Sequence, residues 1–226
     1  MSTGYIPAII TASVALLAAI LAQFLNNTLN NRREKIKFFK DVYGNLITKK
    51  LNLIMKYAYQ YNRPFLDNDK GSVNISEVIQ SLEETIQHFG PELQLQYSYY
   101  NVNRYLDGAS NEIEKRLEFE IAFYFIIYAK QVIKEAKIKT DPRYIFQLDH
   151  VAAVYAYLCI GTEVQGFDKT KDNIIAINQF FLDVLNKYSL DYYEGIISKN
   201  YDYPAQALVM RVNSEINCYL GIDDHL

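Results

Sequence analysis

The side chains able to do chemistry are few. The chain has three histidines, His88, His150 and His225, and two cysteines, Cys159 and Cys218. There is no CxxC pair, HExxH, Gly-rich phosphate loop or GxSxG elbow, so metallohydrolase, nucleotide-binding and serine-hydrolase chemistry have no motif to rest on. No metal site and no cofactor is expected. One pair remains. In RYIFQLDH, Arg143 and His150 are seven apart at the start of a helical stretch, where positions i and i+7 share a face. Where two such faces meet, the His could move the proton of an RNA 2′-hydroxyl while the Arg holds the phosphate. The structural alternative is an Arg paired with a carboxylate and a His bonded to a neighbour.

This pair resembles the Arg-x(4 to 6)-His signature of HEPN ribonucleases, all-α bundles that work as dimers; Tyr144 stands where that family carries a polar residue. The resemblance implies Arg143 and His150 as catalytic residues of a membrane-tethered RNase.

The element that must position everything else is Ile6 to Leu25, twenty residues without a charge. At about 1.5 Å per residue it spans about 30 Å, the thickness of a bilayer's hydrocarbon core. No Lys or Arg precedes it, and Arg32, Arg33, Lys35, Lys37 and Lys40 follow. That placement argues against a cleaved signal and puts the basic side in the cytoplasm. The expected localisation is the inner membrane, single-pass, with the short leading end outside.

Ala8, Ala12, Ala15, Ala19 and Ala22 recur at spacings of four and three on one helical stripe, a pattern that lets helices approach closely in lipid. Asn26, Asn27, Asn30 and Asn31 bring amides to the cytoplasmic edge, either to face water and headgroups or, in a ring of subunits, to line a polar mouth. Thr11, Ser13 and Gln23 are the polar side chains within the span.

With 226 residues and 50% hydrophobic content, the chain has material for the span and one domain with a substantial core. Arg32 to Lys56 holds eight Lys and Arg against Glu34 and Asp41, a net of +6; with −3 overall, the residues from Tyr57 onward carry −9. The basic collar suits anionic headgroups, whereas the acidic remainder disfavours bulk nucleic-acid binding. The two cysteines read as small core residues in a reducing compartment. Twenty Tyr with no Trp suggests half-buried rings whose hydroxyls reach water or a partner, or a bias of base composition.

Helical periodicity runs from Asn30 to about Tyr61, with Gly44 as a weak point. Arg63-Pro64 ends it and Asp67 to Gly71 reads as a loop. A capping box at Asn74 and Glu77 starts a helix to Phe89, stopped by Gly90-Pro91. A Tyr-rich helix follows from Glu92 to Leu106, then a break at Asp107-Gly108. Ser110 caps a long helix to about Lys139 that contains FEIAFYFIIYA, apolar nearly all round and therefore central. Asp141-Pro142 opens a helix ending at Gly161, and helices follow at Lys169 to Tyr188, near Tyr192 to Ser198, and at Pro204 to Leu220. The expected organisation is a transmembrane helix and polar mouth (1–31), a basic juxtamembrane helix (32–63) and an all-α cytoplasmic bundle (64–226).

This architecture, with the Arg/His pair, is similar to the small membrane accessory proteins of type VI-B CRISPR loci. The resemblance implies an antiviral effector that assembles into a ring, forms a membrane pore, and partners an RNA-guided effector protein. A passive anchor or scaffold for a soluble partner is the remaining alternative; it predicts that an unrelated poly-Leu span would serve as well.

Overall fold

The computed structural model describes residues 5–60, 73–104, 111–179, 183–199 and 203–221. Helix α1 (Tyr5–Val42) passes through a π turn (Tyr43–Ile47) into α2 (Thr48–Gln60) without a break. The body continues with α3 (Ile75–Gln80), a 3-10 turn (Glu83–His88), α4 (Pro91–Arg104), α5 (Asn111–Glu135), α6 (Pro142–Gln165), α7 (Phe167–Gln179), a second 3-10 turn (Leu185–Lys187), α8 (Leu190–Ile197) and α9 (Tyr203–Leu220). No strand occurs among the described residues. The expected stop at Arg63-Pro64, the loop at Asp67 to Gly71, the break at Asp107-Gly108, the Ser110 cap and His225 lie outside them.

The π turn falls where Gly44 weakens the helical pattern. Its wide turn closes through the Thr48 N–H on the Tyr43 carbonyl, with Thr48 Oγ1 donating to the Gly44 carbonyl at 2.7 Å. One residue of extra turn offsets about 100° of rotation, so Val42 before it, Leu46 within it, and Leu51 and Ile54 after it are all buried against the body. An uninterrupted α-helix would carry the later residues away from the core.

Helices α5 and α6 form the centre. Phe119, Phe123 and Phe125 of α5 and Tyr155, Tyr157 and Leu158 of α6 are fully buried. Phe119 lies among Tyr57 at 6.1 Å, Tyr155 at 6.4 Å and Phe167 at 5.7 Å between ring centroids, joining α2, α6 and α7. The buried Tyr155 hydroxyl donates to the Ile54 carbonyl at 2.6 Å, fastening α2 to α6 across 101 positions of sequence.

Several tyrosines differ from the sequence expectation. Tyr97, Tyr100, Tyr155, Tyr157 and Tyr193 are core residues, not half-buried ones. Burial costs a hydroxyl its water, and internal partners replace it: Tyr193 donates to the Leu185 carbonyl at 2.8 Å, and Tyr157 accepts from Asn173 at 2.7 Å. Desolvation pushes the Tyr157 hydroxyl up to about 12. Cys159 is buried as expected, but Cys218 is exposed, because α9 turns its position outward.

Three helix ends also differ. α5 stops at Glu135, short of Lys139: Lys137 takes a left-handed φ of 54°, and the Ile138 N–H reaches back to the Ile133 carbonyl at 3.1 Å. This is a Schellman-type close made without glycine. α6 runs through Gly161 to Gln165 and ends at Gly166, φ 85°. Gly161 is a packing glycine, since a Cβ there would meet Thr170 Cγ2 at 2.5 Å. The helix from Ile75 breaks after Gln80, where the Ser81 and Thr85 hydroxyls donate to the Val78 and Leu82 carbonyls and compete with the backbone ladder. At its start the Asn74 side chain accepts from the Ser76 N–H at 3.0 Å and contacts Glu77, as the capping pattern predicts.

Glu118 is buried in this core, accepting from the Tyr100 hydroxyl at 3.3 Å. Burial raises its pKa, and repulsion from Glu114 adds to it; the Ser76 and Tyr100 hydroxyls and Lys115 act against the rise. An acid with a raised folded-state pKa favours the fold while protonated and opposes it as pH climbs past the unfolded value. Glu118→Gln should therefore match the parent near pH 4 and melt higher at pH 7 to 8, by about 2–4 °C per kcal/mol relieved. Thermal melts across that range check it, and a gap that does not widen with pH would contradict it.

Candidate functional site

Helix α1 has a length and an apolarity sufficient to cross a membrane, and none of its apolar window is buried within the chain; α6 passes the same length test but is 72% buried, as a core helix should be. From Ile10 to Leu25 eight large apolar side chains are exposed, among them Leu16 at 63% and Phe24 at 68%. At about 1.5–3 kcal/mol each for removal from water, the unrealised burial is roughly 12–24 kcal/mol. That matches or exceeds the whole stability of a typical domain, about 5–15 kcal/mol. Such a helix requires a cover, and the described residues do not supply one.

Within α1, Ala12, Ala15, Ala19 and Ala22 are exposed along one stripe with Ala8, whose side chain lies outside the described set. At about 100° per residue the five positions fall within an arc of about 80°, and Asn26 and Asn30 continue it; Asn27 and Asn31 turn away. Bulky Leu17, Leu21 and Phe24 occupy the other side. Further along, Arg33, Lys37 and Lys40 return to the alanine stripe, while Arg32 lies off it. Lys35 is anchored to the body by Glu135 at 2.8 Å, and this ion pair holds the Glu135 carboxyl below the usual range.

The Arg143–His150 pair lies on the first half of α6. Asp141 caps the helix, accepting from the Arg143 N–H at 2.8 Å with Pro142 in the first turn, as predicted. The Arg143 residue is exposed. His150, two turns on, is half-buried and meets Asn186 Oδ1 through Nδ1 at 3.2 Å. Asn186 donates its own amide to Asp183 at 2.7 Å. Because that amide is committed, its oxygen faces the imidazole, an acceptor to which Nδ1–H donates. Asn186 and Asp183 carried no signal in the sequence, being over thirty residues away. Tyr144, which departs from the HEPN pattern, is half-buried against the core beside Tyr43 at the π turn, and burial raises its hydroxyl pKa.

Among the described residues no group of three or more His, Cys, Asp or Glu could hold a metal ion. The chain matches no protein-family model, no curated protein and no solved structure.

Proposed function

We propose that the chain is a single-pass membrane protein: α1 crosses the inner membrane with the Tyr5 end outside, and the helical body stands in the cytoplasm. The observation that carries this reading is an apolar helix of bilayer length, uncovered by the described residues and continuous with the body. Copies associate through Ala8, Ala12, Ala15, Ala19 and Ala22, where small side chains permit close van der Waals packing in lipid. Close approach extends to Asn26 and Asn30 and ends at Arg33, where like charges repel, by about 1 kcal/mol per pair at 4 Å in water. Below that level the rods diverge, leaving room for the bodies. Arg32 and Arg33 meet anionic headgroups, and Lys37 and Lys40 are drawn to the same surface only through its longer-range potential.

Membrane perturbation by such an assembly, as an antiviral defence effector acting with an RNA-guided protein, follows from the likeness to type VI-B CRISPR accessory proteins. Ala15→Leu should reduce the oligomer size in neutral detergent and the ion leak in liposomes while membrane insertion persists. Unchanged size and leak would reject the stripe, and wild-type protein that is monomeric at every concentration would reject self-association.

A second reading is a membrane-tethered RNase, favoured by the Asp183–Asn186–His150 chain, which engages Nδ1 and leaves Nε2 as the nitrogen to face a substrate. Under it His150→Ala should abolish cleavage of labelled RNA by the purified protein. No cleavage by either, or equal cleavage by both, removes it.

A further inference from the structure

Between the rod and the body lies an open cavity of about 250 Å³, lined by Phe38 and Phe39 of α1, Phe89 and Glu92 at the start of α4, and Tyr124 and Tyr128 of α5. We propose that this cavity binds a water-soluble alkylated ammonium ion, its ring faces and the Glu92 carboxylate cradling the cation. The proposal stands independently of self-association.

Five aromatic residues line one small cavity, and clustered aromatic rings, with the negative potential of their faces, are what recognises quaternary ammonium groups. The rings are held in place. Phe38 and Phe39 meet edge to face at 5.3 Å, and Phe89 packs on Tyr97 at 5.6 Å. The Tyr128 hydroxyl donates to the His88 carbonyl at 2.8 Å, and its ring lies so near Gly90 that a Cβ there would sit 2.7 Å from it.

Charge selects the occupant. Among the described residues of the lining, Glu92 is the one charged side chain, and none is Lys or Arg. Glu194 of α8 lies near enough to Glu92 for repulsion between them to add to the rise that burial gives the Glu194 carboxyl. Lys35 Nζ approaches the Phe39 ring at 5.8 Å, but it is engaged by Glu135. An anion is therefore disfavoured. A hard metal cation would need about six oxygens, and the described lining offers the carboxylate of Glu92, the amide of Gln131 and two tyrosine hydroxyls, of which that of Tyr128 is turned to the His88 carbonyl. A weakly hydrated organic cation fits both the rings and the charge.

A lipid headgroup carries the same chemistry, but Phe38 lies thirteen residues past Leu25, about 20 Å along the helix, beyond a headgroup layer of about 5–8 Å. The soluble form is the one within reach. Bound there, it would clamp the rod to α4 and α5 one turn above the π turn.

The test is calorimetric titration of the full chain in neutral maltoside with choline and with 3,3-dimethylbutan-1-ol, its uncharged isostere. Choline should bind saturably at millimolar concentration, and the isostere at least about tenfold more weakly. Glu92→Gln and Phe38→Leu, both at exposed positions and checked by an unchanged melting temperature, should each weaken choline by about tenfold. Equal affinity for the isostere, indifference to Glu92→Gln, or no saturable binding of choline overturns the proposal. In nanodiscs, phosphatidylcholine should leave choline affinity as phosphatidylglycerol does; competition by phosphatidylcholine would assign the cavity to the headgroup and overturn the soluble ligand.

Discussion

Replacing Leu16 and Ile20 together with Arg should take the chain out of the membrane. Each Arg near the helix centre costs about 2.5–3.5 kcal/mol on the insertion scale, and each lost Leu or Ile forfeits about 0.3–0.6 more. The pair therefore costs about 6–8 kcal/mol, or four to six orders of magnitude in the insertion equilibrium. Both positions lie off the alanine stripe, so the effect reports lipid contact and not helix pairing. Carbonate extraction of membranes measures it: the parent stays in the pellet and the double variant leaves it. A variant retained as well as the parent would mean that α1 is not lipid-exposed.

Phe119→Ala should be the most damaging single change in the body. Its ring is fully buried where α2, α5, α6 and α7 meet, and truncating a buried Phe costs about 3–5 kcal/mol through lost transfer energy and the cavity left behind. In a body of this size that lowers the melting temperature by about 6–20 °C. Phe24→Ala, the same chemistry at a ring exposed on the rod, should shift the melt of the detergent-solubilised protein little. Circular dichroism on the two variants decides it, and equal shifts would contradict the separation of rod from body.

The fold was legible wherever a local pattern governs it. Charge-free length exposed the long apolar helix α1, Asn74 and Asp141 marked their caps, and the apolar run from Phe119 to Ala129 named the central helix. What escaped depends on partners far away in sequence. Lys137 closes α5 in a left-handed conformation that sequence rules assign to glycine, and Gly161 serves Thr170 packing where the same rules read a stop. The Tyr155 hydroxyl serves a carbonyl 101 residues earlier, a relation no periodicity carries. Gly44 marked the place of the π turn without revealing its form. At the candidate sites, the alanine stripe and the Arg143–His150 spacing were visible in the sequence. The Asn186 and Asp183 support and the aromatic cavity arise only when separate helices pack.

The most direct measurement is labelling by a membrane-impermeant maleimide of single cysteines at Tyr5→Cys, Leu17→Cys and Arg33→Cys, with Cys159 and Cys218 replaced by Ala. In intact spheroplasts Tyr5→Cys should react, Arg33→Cys only after permeabilisation, and Leu17→Cys in neither state. Labelling of all three alike, on protein recovered from the soluble fraction, would contradict a membrane-crossing α1.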